Sequence, residues 1–280
     1  MTMTSREATT AETFRKLHAG PGIFVIPNPW DAGSARLLEQ MGFKALATTS
    51  AGLAFSLGRP DGENAVSRAE TLANAAAIVA ATSLPVAADL ENGFGPRPED
   101  CAETIRQAGA IGLAGGSIED STGYSADAIF AFDAAVERVR AAAEAARGVG
   151  RPFMLTARSE NFLHGRPDLK DTIRRLQAFQ EAGADVLFAP GLKSAEDIRA
   201  VVTSLDRPVN VVMGFAGVTL TVADLGALGV RRVSIGGSLA RAALGGFLRA
   251  AREIAEHGSF GYAADAVPHG ELNNRFRRTR

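Results

Sequence analysis

Short apolar, β-branched segments alternate with longer helix-like segments from residue 23 onward. The eight strand-like segments are 24–27, 45–49, 86–89, 111–118, 153–157, 186–189, 209–213 and 232–235. The helix-like segments after them are 32–41, 68–81, 98–108, 126–147, 169–182, 195–204, 222–228 and 239–256. Strands that are apolar on both faces and joined by helices require a parallel sheet covered by helices. Eight such units predict a closed (β/α)8 barrel of the TIM type, and an open doubly wound sheet is the alternative.

The chain is expected to form one domain, because no Pro- or Ser-rich linker divides it. We expect a polar N-terminal segment and helix over residues 1–22, the barrel over 23–258 and a polar, basic tail over 259–280. His18 is expected to lie exposed at a helix end. Several predicted helices should close with a glycine in the left-handed conformation. These glycines are Gly42, Gly109, Gly183 and Gly229.

The composition excludes several classes of protein. The formal net charge is −1, so no global basic field points to a nucleic-acid partner. Cys101 is the single cysteine, which excludes an internal disulfide and a cysteine-based zinc site and fits a reducing, cytoplasmic location. No apolar run approaches the roughly 20 residues that span a bilayer, so we expect no membrane association.

Acidic residues follow two of the predicted strands. Asp89 and Glu91 come after the third strand, and Glu119 and Asp120 come after the fourth. Asp89 and Glu91 are two residues apart, so they would share a face if the strand continued. Converging carboxylates repel each other unless a cation lies between them, and Mg²⁺ prefers oxygen ligands. The alternative is that these acids cap helices, but barrel active sites lie at the C-terminal strand ends, which favours a cation site.

Polar groups follow other predicted strands as well. Ser50 and the small residues after it could aim backbone N–H groups at an anionic oxygen, or they could form a local turn and cap. Arg158 at the end of the fifth strand suits bidentate recognition of a carboxylate, or an internal ion pair with Glu160 or Asp185. Asn210, at the start of the seventh strand, is either a pocket residue or a turn residue.

The strand-end segments resemble those of the isocitrate lyase/phosphoenolpyruvate mutase superfamily. They are Ile26-Pro27-Asn28-Pro29-Trp30-Asp31-Ala32, Thr49-Ser50-Ala51-Gly52, Pro60-Asp61-Gly62, Asp89-Leu90-Glu91-Asn92-Gly93-Phe94-Gly95, Ile118-Glu119-Asp120 and Thr156-Ala157-Arg158. Each segment alone is a weak signal, whereas their order and placement together are specific. The resemblance covers almost the whole chain, from residue 23 to roughly residue 256.

The resemblance implies a metal site and a chemistry. Asp89, Glu91 and Glu119 would hold Mg²⁺, partly through water, with Mn²⁺ as an alternative. Bound to the carboxylate and 2-oxo oxygens of a substrate, the metal would act as a Lewis acid while a bond to the 3-carbon breaks. The implied intermediate resembles a pyruvate enolate, whose charge the metal and nearby N–H groups would stabilise.

The resemblance also implies residues for a small carboxylate substrate. The substrate-binding residues would be Ser50, Ala51, Gly52, Arg158 and Asn210. Ser50 and Arg158 would also be catalytic, together with Asp61 near the metal and the reacting centre. Members of the superfamily commonly assemble as dimers or tetramers that exchange the eighth helix, so segment 239–256 is expected to pack on a neighbouring subunit.

The sequence departs from the superfamily's lyases at the loop after the fourth strand. Residues 121–126 contain no cysteine, lysine or histidine, so the thiol acid that isocitrate-type lyases use is missing. The carboxylate that these lyases often place after the sixth strand is replaced by Ala189-Pro190-Gly191. Glu91 stands where aspartate is common. These changes resemble the decarboxylase branch that acts on oxaloacetate and related 2-oxo diacids, because departing CO₂ needs no proton.

We therefore expect a Mg²⁺-dependent lyase that cleaves a C–C bond of a small 2-oxo or 2-hydroxy carboxylate. Cleavage or rearrangement of a C–P bond, as in phosphonopyruvate chemistry, is one alternative. The other is a barrel that binds a metabolite without turning it over, which the missing loop residues would explain.

Overall fold

The computed structural model describes residues 5–124 and 126–277. Within them the strands are β1 (Phe24–Ile26), β2 (Leu46–Ala47), β3 (Val86–Asp89), β4 (Gly115–Glu119), β5 (Met154–Arg158), β6 (Val186–Phe188), β7 (Val209–Val212) and β8 (Arg232–Ser234). Neighbouring strands are parallel, in the order β1-β8-β7-β6-β5-β4-β3-β2. Across the gap between β1 and β2, the Ala47 amide donates to the Pro27 carbonyl at 3.1 Å. The strands form a nearly closed barrel, which confirms the (β/α)8 prediction.

Helices cover the outside of the barrel. They are α1 (Ser5–Ala19), α2 (Ala32–Gln40), α3 (Ser50–Ser56), α4 (Arg68–Ala81), α5 (Pro98–Ala110), α6 (Phe132–Arg147), α7 (Leu169–Glu181), α8 (Ala195–Thr203), α9 (Val222–Ala227), α10 (Ser238–His257) and α11 (His269–Phe276), with a short 3₁₀ helix at Gly261–Ala264. None of the described helices combines the length and apolarity that crossing a bilayer requires.

Local sequence signals explain where several helices start and end. Ser67 caps α4, and Glu70 reaches back to the Ser67 amide at 2.9 Å, so two otherwise unpaired N–H groups are satisfied. Gly183 closes α7 with φ +110°, as predicted. Gly109 was expected to close α5, but that helix continues to Ala110, and Gly112 takes the left-handed conformation with φ +88°.

Three other segments differ from the sequence-based expectation. Residues after β2 form the short helix α3, because Thr49 supplies an N-cap that accepts from the Gly52 amide at 3.2 Å. Helix α6 begins only at Phe132, after an irregular segment that makes an isolated bridge between Ser121 and Ile129. The expected polar tail contains α11, which contacts α2 through a hydrogen bond from Gln40 to the Arg275 carbonyl at 2.7 Å.

Helix α1 packs against the barrel interior. Phe14 is fully buried in a cluster with Ile26, Ala87 and Met154. His18 is only 3% exposed, so the expectation that it lies in solvent was wrong. Its Nδ1 donates to the Phe14 carbonyl at 2.8 Å, and its Nε2 accepts from Nη1 of Arg232 at 3.2 Å. An arginine only donates, so this pairing fixes a neutral imidazole with its proton on Nδ1.

Helix α10 is unlike the other long helices because it leaves its apolar side chains in solvent. Ala240 is its only buried residue. Large apolar side chains that are at least a third exposed follow along its length. They are Leu239, Leu244, Phe247, Leu248 and Ile254. An apolar face of this size on one helix is the usual mark of a contact with another protein surface.

Burial of His18 predicts a stability that falls in acid. Burial, and then the Arg232 charge, lower the pKa of His18 from 6.5 to about 3. Between these two pH values the imidazole is protonated in the unfolded chain and neutral in the folded chain. Stability from this group is complete above pH 6.5 and is lost as the pH falls towards 3. At pH 5 the loss is about 2 kcal/mol.

Denaturant titrations of wild type and His18→Gln at pH 7.5 and pH 5 measure this loss, because the difference between the two proteins isolates the imidazole. His257→Gln, at the exposed end of α10, is the matched control, and its free energy of unfolding should depend on pH as that of wild type does. If the free energy of unfolding of His18→Gln also kept the wild-type pH dependence, the role given to His18 would be contradicted.

Candidate active site

A cavity of about 260 Å³ opens at the C-terminal ends of the strands. Six of the residues singled out from the sequence line it: Ser50, Ala51, Asp61, Asp89, Arg158 and Asn210. Gly52, Glu91 and Glu119 are not among its lining residues. The barrel therefore brings strand-end groups from distant parts of the sequence to one opening, as expected of this fold.

Arg158 lies at the centre of a cluster of carboxylates. Its Nη1 is 2.8 Å from Oδ1 of Asp89, its Nη2 is 3.1 Å from Oε2 of Glu119, and its Nε is 2.9 Å from Oε1 of Glu160. All four side chains are at least four-fifths buried. Burial opposes the charge of the guanidinium, but Glu119, Glu160 and Asp89 raise the pKa of Arg158 well above its usual value. The cation among the acids is thus an arginine of the chain itself.

Strand register explains how this cluster forms. Glu119, the last residue of β4, is the direct partner of Arg158, the last residue of β5. Asp89, the last residue of β3, is opposite Ser117. Side chains two residues apart on one strand share a face, so Ser117 and Glu119 face the interior together. The ends of β3, β4 and β5 therefore place Asp89, Glu119 and Arg158 on the same side of the sheet.

The segment after β2 offers fewer free N–H groups than its sequence suggested. The Ser50 amide donates to Oδ2 of Asp89 at 3.3 Å, and the Gly52 amide is taken by the Thr49 cap. The Ala51 amide has no acceptor within the part of the chain that the structure describes. Gly52 is required for close packing, since a Cβ there would lie 2.7 Å from that of Trp30.

Two further acids lie close to Asp89. Burial and the Asp89 charge raise the pKa of Asp61, while the Ser50 hydroxyl bonds its carboxylate. Burial, followed by Asp89 and Asp61, raises the pKa of Glu91 to about 8. The strand β3 ends at Asp89, as predicted, and Glu91 beyond it has a left-handed backbone with φ +46°. The condition for a shared face, a strand that continues to Glu91, is therefore not met, although the two groups interact electrostatically.

The donor set fits Mg²⁺ in its chemistry. No three carboxylate, imidazole or thiol groups among the described residues converge as a ready-made metal cage. Near the cavity, however, Asp61, Asp89, Glu91 and Glu119 are oxygen donors, and burial raises the pKa of Asp61, Glu91 and Glu119, so a bound cation would displace protons from them. Mg²⁺ keeps several waters and needs few direct carboxylates. Asp89, with Glu91 and Glu119 acting partly through water, are the residues that would hold it.

Asp120, which the sequence placed beside Glu119 without a role of its own, lies behind the cluster. Asp120 is 2% exposed and accepts from the Glu160 amide at 2.8 Å and from Nη1 of Arg175 at 3.1 Å. Burial raises the pKa of Asp120 to about 7. Asp120 therefore positions the residue that holds Nε of Arg158. Its place directly after Glu119 was visible in the sequence, but its partner on α7 was not.

One charged residue inside the barrel, Arg232, was not predicted from the sequence. Arg232, the first residue of β8, is 5% exposed and donates to Oδ1 of Asn210 at 2.8 Å and to Oγ1 of Thr156 at 2.9 Å. Asn210 in turn donates to Oγ of Ser234 at 3.0 Å. Asn210 is thus an interior residue and not part of a turn. An arginine at the start of an apolar strand was the available signal.

Comparison with known proteins shows similarity over nearly the full chain. Residues 14–255 match the family described as phosphoenolpyruvate phosphomutase. A crystal structure of a protein from Burkholderia cenocepacia J2315 is 56% identical, with a TM-score of 0.95, and the alignment covers 99% of this chain and 98% of that one. Fold and family therefore agree across the barrel.

Curated relatives are more distant. An uncharacterized protein from Mycobacterium tuberculosis is 34% identical, over 94% of this chain and 95% of its own. The phosphonopyruvate hydrolase of Variovorax sp. (strain Pal2) is 33% identical, over 84% and 83% of the two chains. The oxaloacetate decarboxylase of Bradyrhizobium diazoefficiens is 29% identical, over 76% and 73%.

The Arg158 cluster predicts a large stability loss when the guanidinium is removed. Arg158→Gln leaves buried like charges without their cation, so the free energy of unfolding should fall by about 3–5 kcal/mol at pH 7.5. Urea titration of wild type and variant measures this difference in the free energy of unfolding. Arg140→Gln removes a half-exposed arginine 3.5 Å from Glu137 and should cost less than about 1 kcal/mol. Equal losses in the two variants would contradict the role given to Arg158.

Proposed function

Because the chain belongs to the phosphoenolpyruvate phosphomutase family, within the isocitrate lyase/phosphoenolpyruvate mutase superfamily, we propose that it is a Mg²⁺-dependent lyase. It cleaves a C–C bond of a small 2-oxo or 2-hydroxy carboxylate, and decarboxylation is the proposed reaction. The observation that carries this proposal is the cavity: acids and an arginine meet at the strand ends, and its described wall contains no thiol or imidazole.

The size and charge of the cavity support a small, polar substrate. A volume of about 260 Å³ accommodates a molecule of a few carbon atoms rather than a nucleotide cofactor. A bound Mg²⁺ would serve as a Lewis acid that withdraws charge from the substrate's oxo and carboxylate oxygens. Asp89, Glu91 and Glu119 supply the oxygen donors that such an ion prefers.

The remaining roles belong to the chain's own groups. The Ala51 amide is the free N–H donor at the start of α3 and is available to an anionic oxygen where charge develops. Ser50 bonds both Asp61 and Asp89, so it connects the two acids that flank the proposed reacting centre. Arg158 holds Asp89, Glu119 and Glu160 in place, and two of its five N–H groups remain for the substrate, which they would orient, reducing the entropic part of the barrier.

The lack of a thiol or imidazole in the described cavity wall favours decarboxylation. Cleavage that releases a second carboxylic acid requires a proton at the departing carbon. CO₂ leaves without one, and the enolate that remains takes its proton at the 3-carbon from water. Cys101, the only thiol of the chain, is fully buried, and burial raises its pKa to about 11. Similarity to the oxaloacetate decarboxylase relative supports the same reaction class.

Cleavage of a C–P bond is the second candidate. It is supported by the 33% identity to a phosphonopyruvate hydrolase over 84% of the chain. Both reactions need the same electron acceptor. When the C–P bond breaks, its electron pair stays on the carbon and is delocalised onto the neighbouring oxo group, as it is when a C–C bond breaks.

Turnover assays with Mg²⁺ test the function. Oxaloacetate should be converted to pyruvate and CO₂ above the metal-catalysed background, chelation should abolish the reaction, and Mg²⁺ or Mn²⁺ should restore it. Asp89→Ala should lower the rate by about 100-fold or more, because it removes a metal donor.

Glu181→Ala is the control for this assay, because it removes an exposed carboxylate at the far end of α7 and should keep the wild-type rate. Phosphate release from phosphonopyruvate would select the second candidate. A folded protein that binds the acid and turns over neither compound would reject catalysis and leave a metabolite-binding barrel.

The proposed enzyme is also a homo-oligomer, a dimer or tetramer, in which a second copy covers the apolar face of α10. Phe247→Glu places a charge at the most exposed of its apolar side chains, 66% accessible, and should shift the protein towards monomer in light scattering after size exclusion. Val222→Glu, on α9, is the control at a solitary exposed position. A wild-type protein that is monomeric at all concentrations would contradict the proposal.

A further inference from the structure

Arg232 is a buried cation without an acid. Its three protein acceptors are Oδ1 of Asn210, Oγ1 of Thr156 and Nε2 of His18, and all three are neutral. It forms no ion pair with any carboxylate in the described part of the chain. Burial lowers the pKa of Arg232 to about 9, so the group remains charged at neutral pH. An uncompensated charge in the interior is costly, and proteins normally pair it or leave it room for a ligand.

Arg232 contrasts with the other arginine of the cavity. Arg158 contacts three carboxylates, and together they carry more negative than positive charge. Arg232 therefore attracts an approaching anion more strongly than Arg158 does. The mouth of the cavity is acidic, and its floor is basic.

The cavity reaches Arg232. It shares the cavity wall with Thr156, Asn210 and Ser234, while Ala47, Ala87 and Ser117 line the cavity from β2, β3 and β4. These small side chains leave the interior open, where a typical barrel is filled by bulky residues. A guanidinium has five N–H groups, and three of those of Arg232 are used by the chain. Two remain for a ligand at the cavity floor.

We propose that Arg232 forms an anion subsite at the floor of the cavity, which binds one carboxylate of a dicarboxylate substrate. The rest of the substrate then extends towards the mouth, near Ala51 and the acids. The inference rests on the proposed function in placing the substrate in this cavity, and it makes diacids the substrate class. Discrimination against monoacids follows, since a monoacid leaves the buried charge unpaired.

Calorimetric titration with succinate and butyrate, in the presence of Mg²⁺, tests the subsite. Both probes have four carbons, and only succinate carries a second carboxylate. Wild type should bind succinate about tenfold or more tightly than butyrate, the value of one charged hydrogen-bonded contact. Arg232→Met should reduce this preference to less than about threefold.

Asn210→Asp is the decisive second variant. It keeps the shape of the side chain and gives Arg232 a carboxylate at the present 2.8 Å contact, so the charge is neutralised. The Ser234 hydroxyl, which now accepts from the Asn210 amide, can rotate to donate to the aspartate. The succinate preference should fall as in Arg232→Met, with a melting temperature at or above that of wild type. Arg231→Met, the neighbouring arginine that bonds the Gly22 carbonyl, should leave the preference unchanged.

Absence of a succinate preference in wild type would overturn the subsite, and so would its retention in folded Asn210→Asp. These binding results do not depend on turnover. A succinate preference in a protein that fails to act on oxaloacetate would reject the proposed function and keep the subsite. Turnover of oxaloacetate without a succinate preference would support the proposed function and reject the subsite.

Discussion

The contact of Arg158 with three carboxylates is the interaction on which the rest of the site depends. Parallel register brings Glu119 beside Arg158, and Asp89 ends the neighbouring strand. Without a cation at this point, the acids that are proposed to attract Mg²⁺ would repel each other in a buried setting. The guanidinium therefore allows the acidic mouth to exist before any metal arrives, and it leaves a surplus of negative charge for the metal to balance.

The interior of the barrel separates two kinds of charge along its axis. At the mouth, acids outnumber the single arginine, whereas at the floor Arg232 is alone with neutral partners. Small side chains on β2, β3 and β4 keep the space between them open. Such an arrangement suits a short molecule with an anionic group at each end, one bound through a divalent cation and one directly. Fold, charge and cavity size thus support the same class of substrate.

Signals between near neighbours in the chain were readable from the sequence. The bounds of β3 and α4 were predicted without error, because an apolar run ends at Asp89 and a Ser67–Glu70 capping box starts the helix. The alternation of strand-like and helix-like segments predicted eight units and favoured a closed barrel over an open doubly wound sheet. The gathering of Asp89, Glu119 and Arg158 at one end followed from the rule that barrel sites lie at C-terminal strand ends.

Features set by distant partners were not readable. His18 looked exposed because its partner Arg232 is 214 residues away. The left-handed backbone at Glu91 depends on the tertiary contacts of the loop after β3, which the sequence of the loop does not reveal. Arg232 is an arginine in an otherwise apolar strand, and its role could be inferred only once the cavity beside it was known. Local pattern therefore predicted the scaffold, and tertiary contact determined the electrostatics of the site.

The most direct test of the central claim is a crystal structure grown with Mn²⁺ and oxalate, with data recorded at the manganese absorption edge. The account predicts an anomalous peak at the mouth, coordinated by Asp89 and oxalate, with Arg158 still holding Glu119 and Glu160. Oxalate bound in the cavity with no anomalous peak near Asp89 would contradict it.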